Sequence, residues 1–211
     1  MEESTTKEKI LKSIRNALIN KTDNPFKNVD FNSDLFHAQK ELPEVEFALK
    51  LNEAGGTFIY CDNEKGFTEN LRVLIEQQGW NEVVCTDPKL SGLVSAEGIN
   101  VTSPHQKLEF TVSLTGCEFL ISRFGSVLVS SALAGRNLFA GADTHLVVAK
   151  ASQVVRELKD ALLALKTKYA NQLPSQITLI TGPSRTADIE KTLIMGAHGS
   201  KNLVVFLIDD A

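Results

Sequence analysis

Ser184, Arg185, Thr186, Asp188 and His198 fall close together near the C-terminus, and they are residue types that can hold or transform an anion. A guanidinium forks onto a carboxylate or phosphate. Hydroxyls cap or donate, and an imidazole moves protons near neutral pH. The surrounding stretch, ITLITGPSRTADIEKTLIMGAHGSKNLVVFLID, reads as buried strand, Gly-Pro turn, helix, Gly-rich turn and buried strand. In that reading Thr181–Thr186 sits beyond the carboxyl end of a strand and at a helix start. There, unpaired N–H groups and partial positive charge attract anions, and Gly182 permits close backbone approach. The same residues also fit an ordinary capped helix start, with Asp188 and Glu190 complementing the helix dipole. No Gly-Lys-Ser/Thr follows and no G-x-G-x-x-G occurs, so this is not a phosphate loop.

His198 lies in the turn Gly196–Ser200 that closes the expected helix. That position predicts the sheet edge opposite Ser184, where an imidazole interacts with the last helical carbonyls. The stretch Ser130–His145, SSALAGRNLFAGADTH, holds Arg136, Asp143 and His145 among small residues. It reads equally as a pocket wall or as tight backbone packing. Ser184, His145 and Asp143 are the types of a catalytic triad, but no nucleophile elbow G-x-S-x-G is present. No catalytic residue is assigned. His37, His105, His145 and His198 fit no metal-ligand spacing. Cys61, Cys85 and Cys117 lie far apart, without any C-x-x-C, and read as buried, reduced thiols. The expectation is a chain with no metal and no cofactor of its own.

The elements that must position these groups follow from periodicity. A helix is predicted over 5–19, opened by Thr5 and Glu8 as a capping box. A polar, turn-rich arm follows over 20–43, then a helix over 44–53 ended by Gly55-Gly56. Next come a strand at 57–61, a helix at 65–78 with Gly79 as its C-cap, and a strand at 82–85. Residues 87–104 read as irregular, with one helical turn and a short strand near 99–102. Cys117–Ser122 and Ser126–Ser130 flank Arg123-Phe124-Gly125, a three-residue loop ending in glycine that predicts an antiparallel hairpin within the sheet. A strand at 146–149, a helix from Ser152 to Tyr169, a strand at 177–180, a helix at 185–195 and a strand at 203–208 complete the chain. This alternation predicts an α/β fold, a mostly parallel sheet with helices on both faces. An N-terminal helical arm would span 1–54 and the α/β domain 55–211.

The chain of 211 residues, 43% hydrophobic and 23% charged, supports one sizeable core. A net charge of -4 and pI near 5.6 provide no basic field for nucleic acid. Apolar runs of about six residues fall far short of the ~20 a membrane helix needs. The charged N-terminus lacks the apolar core of a signal peptide. A cytoplasmic protein without a membrane span is expected.

With TGPSRTADIEKTLIMGAHGS in view, the chain resembles the LUD-domain family, in its lactate utilization protein C (LutC/YkgG) branch, whose members carry TGPS-R-T-A-D-I-E and G-x-H-G-P before the last strand. The likeness is close from Thr181 to Gly199 and weaker back to Leu114. Ser200 stands where the family usually has proline. Arg123-Phe124-Gly125-Ser126 stands where most members show an E-T-G-T-like turn, without its acidic residue. Arg136 and His145 fall where the family tends to have an Arg and a His. The resemblance implies a Rossmann-like fold of the NagB/RpiA/CoA-transferase type. It further implies a part in oxidising L-lactate to pyruvate beside iron–sulfur partner proteins, as a non-redox subunit. The alternatives are a stand-alone enzyme of that fold acting on a phosphorylated or CoA-linked substrate, or a regulatory binding module. A small anionic ligand would meet Gly182, Ser184, Arg185, Thr186 and Asp188, with Arg136, His145, Gly125 and Ser126 completing the site.

Overall fold

The computed structural model describes residues 5–19, 26, 28, 30, 41–104, 110–170, 172–187 and 194–210. The chain divides into two units, Met1–Ala38 and Gln39–Ala211. In the first, helix α1 (Thr6–Ile19) opens as expected. The Thr5 N–H donates to Glu8 Oε2 at 2.8 Å and the Glu8 N–H donates to Thr5 Oγ1 at 3.3 Å. This exchange satisfies N–H groups the helix leaves unpaired. The arm expected over 20–43 falls mostly outside the described residues.

The second unit is built on a six-stranded sheet in the order β1-β12-β7-β4-β2-β3, every pair parallel. Its strands are β1 (Thr57–Cys61), β2 (Val83–Cys85), β3 (Val101–Thr102), β4 (Val112–Gly116), β7 (Thr144–Lys150) and β12 (Asn202–Ile208). Side chains alternate across a strand, so β12 sends Val204, Phe206 and Ile208 to one face and Leu203, Val205 and Leu207 to the other. On the first face lie α3 (Glu64–Gln78) and α4 (Pro88–Ala96), with Phe67 meeting Phe206 edge-on at 5.2 Å. The Asn63 side chain caps α3 by accepting from the Gly66 N–H at 2.9 Å, and Gly79 at φ 66° ends that helix as predicted. Asp87 caps α4 through the Lys89 and Leu90 N–H groups. Helix α4, of nine residues, runs longer than the single turn expected there, because Asp87-Pro88 starts a helix well.

The other face is covered by α2 (Pro43–Glu53), α5 (Arg136–Ala140) and a second, four-stranded sheet. That sheet has the order β8-β5-β6-β9, from β8 (Val154–Val155), β5 (Phe119–Ile121), β6 (Ser126–Ser130) and β9 (Ile177–Ile180). The predicted hairpin is present, with Phe119 opposite Leu128, but it leaves the parallel sheet and forms a layer of its own. Strand β9 also belongs to this layer, antiparallel to β6, rather than beside β12. Helix α6 (Leu158–Lys168) lies on the outer face, where Ala161 and Leu165 pack on Ile121 and Leu128. The long helix expected from Ser152 is shorter, because Ala151–Gln153 forms a 3-10 turn and Val154-Val155 pairs with β5. Ser152 is bonded to Asp210 instead.

One buried carboxylate locks α6 to the small sheet. Glu118 accepts from Ser130 Oγ at 2.5 Å, Tyr169 OH at 2.6 Å and Lys168 Nζ at 2.7 Å. Burial pushes its pKa up, but the hydrogen bonds from Lys168, Ser130 and Tyr169 outweigh burial and leave it below the usual carboxylate range. Cys61, Cys85 and Cys117 are buried free thiols, and burial raises the pKa of each, that of Cys85 to about 11. No described helix is long and apolar enough to cross a membrane.

Candidate functional site

A cavity of about 340 Å³ opens between the amino ends of β7 and β12, helix α5 and the end of β9. Its lining includes His145 and Leu203 from the parallel sheet, Phe139 and Ala140 from α5, Thr178–Arg185 from β9 and the following loop, and His198–Ser200.

The loop is shaped by a hairpin where the sequence suggests a helix. Strand β10 (Arg185–Thr186) pairs antiparallel with β11 (Ile194–Met195), Arg185 opposite Met195 and Thr186 opposite Ile194. The Ser184 carbonyl accepts from the Gly196 N–H at 2.9 Å, and the Ser184 N–H donates to the Ser200 carbonyl at 2.9 Å. Backbone groups that a helix starting at Ser184 would spend four residues along the chain are therefore paired across the hairpin. β-Branched Thr186 and Ile194 suit that pairing. Among the described residues no helix N-terminus faces the cavity, and the anion site inferred on that basis loses its dipole argument. Asp188 lies outside the described residues.

The hairpin also corrects the expectation for His198. Instead of occupying the opposite edge of the sheet, its backbone N–H meets Ser184 Oγ at 3.4 Å, and both residues line the cavity. Gly182, at φ 73°, does permit a close approach, but to α2. A Cβ there would stand 2.4 Å from the Ala54 carbonyl oxygen. The Arg185 guanidinium donates to the same carbonyl, so the loop is fastened to the end of α2 at two points.

Around His145 the sheet carries buried polar side chains where it is otherwise apolar. On β4, Val112 and Leu114 face α3 and α4, which leaves Ser113 and Thr115 on the inner face beside His145. Ser113 Oγ donates to the Leu138 carbonyl at 2.8 Å. Thr115 Oγ1 and His145 Nε2 are 2.8 Å apart. His145 is fully buried, and burial lowers its pKa to about 4. The ring is neutral at pH 7 and carries one donor and one acceptor. Its Nδ1, and Ser200 Oγ, have no hydrogen-bond partner among the described residues.

The structure thus gathers Gly182, Ser184, Arg185 and His145 around one cavity. Thr186 lies just beyond it in β10. Arg136 opens α5, and its side chain lies outside what the structure describes. Ser126 is buried and bonded to Thr181 Oγ1 at 2.7 Å, behind the cavity wall. Gly125, at φ 61°, packs against the backbone of Leu51, which its Cβ would meet at 2.2 Å. Arg123 forms a double hydrogen bond with Glu157. Asp143 pairs with Lys201 at 2.8 Å, and among the described residues Ser184, His145 and Asp143 form no hydrogen-bonded chain. Gln176 and Ser200, which line the cavity, and Thr115, which is bonded to His145, were not among the expected site residues, and His198 was expected at the opposite sheet edge. The alternation in VSLTG, which puts Ser113 and Thr115 on one face, is the signal that identifies β4 and its polar side.

A second cleft, of about 820 Å³, lies at the carboxyl ends of β2, β4 and β7. Lys89, Lys150, Lys168 and Gly116 line it together with Glu64 and Asp87. Among the described residues, no group of three or more His, Cys, Asp or Glu side chains could hold a metal ion.

Residues 104–208 match the model of the LUD domain family. Lactate utilization protein C of Bacillus subtilis is 33% identical over 102 residues, 47% of this chain and 42% of that protein. The Bacillus licheniformis protein of the same name is 31% identical over 102 residues, with the same coverage. The chain thus spans less than half the length of these two relatives. YkgG of Escherichia coli is 31% identical over 195 residues, 86% of this chain and 78% of that one. A DUF162 family protein from Deinococcus radiodurans, known from a crystal structure, shares the fold with a TM-score of 0.58 at 18% identity. That match covers 79% of this chain and 96% of the other.

Proposed function

This chain belongs to the LUD-domain family, in its lactate utilization protein C and YkgG branch, and from that membership we propose that it serves lactate utilization as a non-redox subunit. It binds a small anion in the cavity beside His145 and works in the cytoplasm with iron–sulfur proteins that oxidise L-lactate to pyruvate. One observation carries the reading. The segment most like the family, Thr181–Gly199, supplies Thr181–Arg185, His198 and Gly199 to the cavity wall.

Oxidising L-lactate to pyruvate releases two electrons and two protons, which an acceptor must take. The three cysteines of this chain are divided between two apolar clusters, Cys61 and Cys85 in one and Cys117 in the other. Their placement does not suit a shared cluster, so the reading assigns electron transfer to the partners. The test is capture of the tagged chain from its host grown on lactate, read by mass spectrometry. Recovery of cysteine-rich iron–sulfur proteins is the expected result. Recovery of the chain alone would sink the subunit reading.

The cleft at the carboxyl ends of β2, β4 and β7 favours a second reading, an enzyme acting on a phosphorylated or CoA-linked substrate. Ligands of open α/β sheets bind at that edge, and Lys89 and Lys150 supply positive charge there. Saturable binding of coenzyme A, lost in Lys150→Ala, would support it.

A further inference from the structure

Two apolar surfaces of this chain have no cover among the described residues. Helix α1 buries none of its side chains, and Ile10, Leu11, Ile14 and Leu18 are each more than half exposed. Their spacing puts all four on one face of the helix. Lys7 continues that face by one turn toward the N-terminus and Arg15 borders it, while Lys9 and Lys12 lie on the opposite side.

The second surface is a groove of about 580 Å³ between α2 and β1. Helix α2 turns Phe47 and Leu51 into the core, which leaves Val45 and Leu49 outward, in line with Leu42 ahead of the helix. Strand β1 is the edge of the six-stranded sheet, and its Phe58 and Tyr60 form the other wall. Leu42, Leu49 and Tyr60 are more than half exposed. The charged residues at the groove are Glu44 and Asp209, the latter accepting from Tyr60 OH at 2.7 Å, with no lysine or arginine among the described lining. A contiguous apolar surface of this kind marks an interaction site.

We propose that the groove between α2 and β1 receives helix α1 of a second copy of this chain, in a twofold dimer that uses the contact twice. An amphipathic helix laid by its apolar face into an apolar groove is a recurring mode of recognition. A twofold axis gives each copy one helix and one groove to exchange. The stretch between Ile19 and Pro43, at up to ~3.3–3.6 Å per residue, supplies chain enough to reach a neighbouring molecule. Charge decides against the simpler pairing of α1 with α1. That helix carries Lys7, Lys9, Lys12 and Arg15 against Glu8 alone, so two copies side by side repel. Lys7 and Arg15, at the stripe, instead complement Glu44 and Asp209 at the groove.

The test is sedimentation equilibrium of the purified full chain, which needs no ligand and is independent of the lactate reading. At about 100 µM a dimer of twice 23.1 kDa is expected, dissociating on dilution. Ile14→Glu and Leu49→Glu change positions more than half exposed, so the core is untouched, and each variant should be monomeric there. A one-to-one mixture of the two should regain dimers in part, because the intact helix of one copy fits the intact groove of the other. Glu44→Lys, which sets like charges together, should weaken the wild-type dimer by about tenfold. A monomeric wild-type chain would overturn the proposal, whether its groove stays open or takes up its own α1. So would a dimer that survives Ile14→Glu or Leu49→Glu, or a mixture that stays wholly monomeric.

Discussion

Thr115 and His145, on adjacent parallel strands, are joined by a 2.8 Å hydrogen bond between Oγ1 and Nε2, and the other ring nitrogen is left without a partner among the described residues. This bond fixes the ring at the floor of a cavity whose wall is built by residues from the far end of the chain. Thr115→Val removes the anchor and keeps the shape. It should cost about 1–3 kcal/mol of stability, the penalty for a buried polar group left unpaired. Ring NMR signals of His145 that broaden or shift in this variant would report the lost orientation, and unchanged signals would argue against it.

His145 also predicts a pH dependence. Its folded pKa, about 4, lies below the ordinary value of 6.5. Between these values the unfolded chain takes up a proton that the folded chain refuses. Stability therefore falls as pH drops from 6.5 toward 4, by up to about 1.4 kcal/mol per pH unit from this one group. Above pH 6.5 the contribution is flat. Urea unfolding at pH 7, 6 and 5 should show a smaller slope in His145→Gln than in the wild-type chain.

Glu118 acts in a lower window. Its pKa is held below 4.5, so its stabilising effect is complete above 4.5 and is lost as pH falls through the lowered folded value. Glu118→Gln should cost about 1–3 kcal/mol at pH 7, because Lys168 loses a charged acceptor while Ser130 and Tyr169 keep a polar one. The difference from wild type should shrink on acidification below pH 4.5. A constant difference across that range would show that ionisation of Glu118 contributes nothing.

Two glycines separate backbone strain from packing. Gly79 and Gly182 both have left-handed backbones, at φ 66° and 73°, but a Cβ on Gly79 meets nothing within 4 Å. Gly79→Ala should cost about 1–2 kcal/mol, the penalty of the conformation alone. Gly182→Ala should cost more than the roughly 1–2 kcal/mol of the conformation, since it also drives a methyl into the Ala54 carbonyl. Equal losses on thermal unfolding would mean that the contact with α2 is easily relieved.

Arg185→Ala should weaken binding of a small carboxylate by about 1.5–3 kcal/mol, the range for hydrogen bonds to charged groups. Calorimetry decides it, with Arg185→Lys as the companion that keeps the charge and loses the fork. Unchanged affinity in Arg185→Ala would leave the guanidinium only its role of holding Ala54.

Local rules were enough for much of the architecture. Thr5 with Glu8, Gly79 past α3, and the uninterrupted LVVFLI of β12 each state their role in the residues themselves, because capping and alternation act over a few positions. The resemblance in Thr181–Gly199 identified the family for the same reason, since a motif is local. What only the tertiary structure decided is the partner of each strand. ITLI is too short to reveal whether it lies beside β12 or β6, and RTADIEKTLIM has helical spacing although both described ends pair as strands. Those choices set which residues meet. Pairing β9 with β6 and closing β10 on β11 brings Ser184 and His198 together over His145. That the Nδ1 of that histidine has no partner among the described residues is a property of what surrounds it, and no pattern along the chain encodes it.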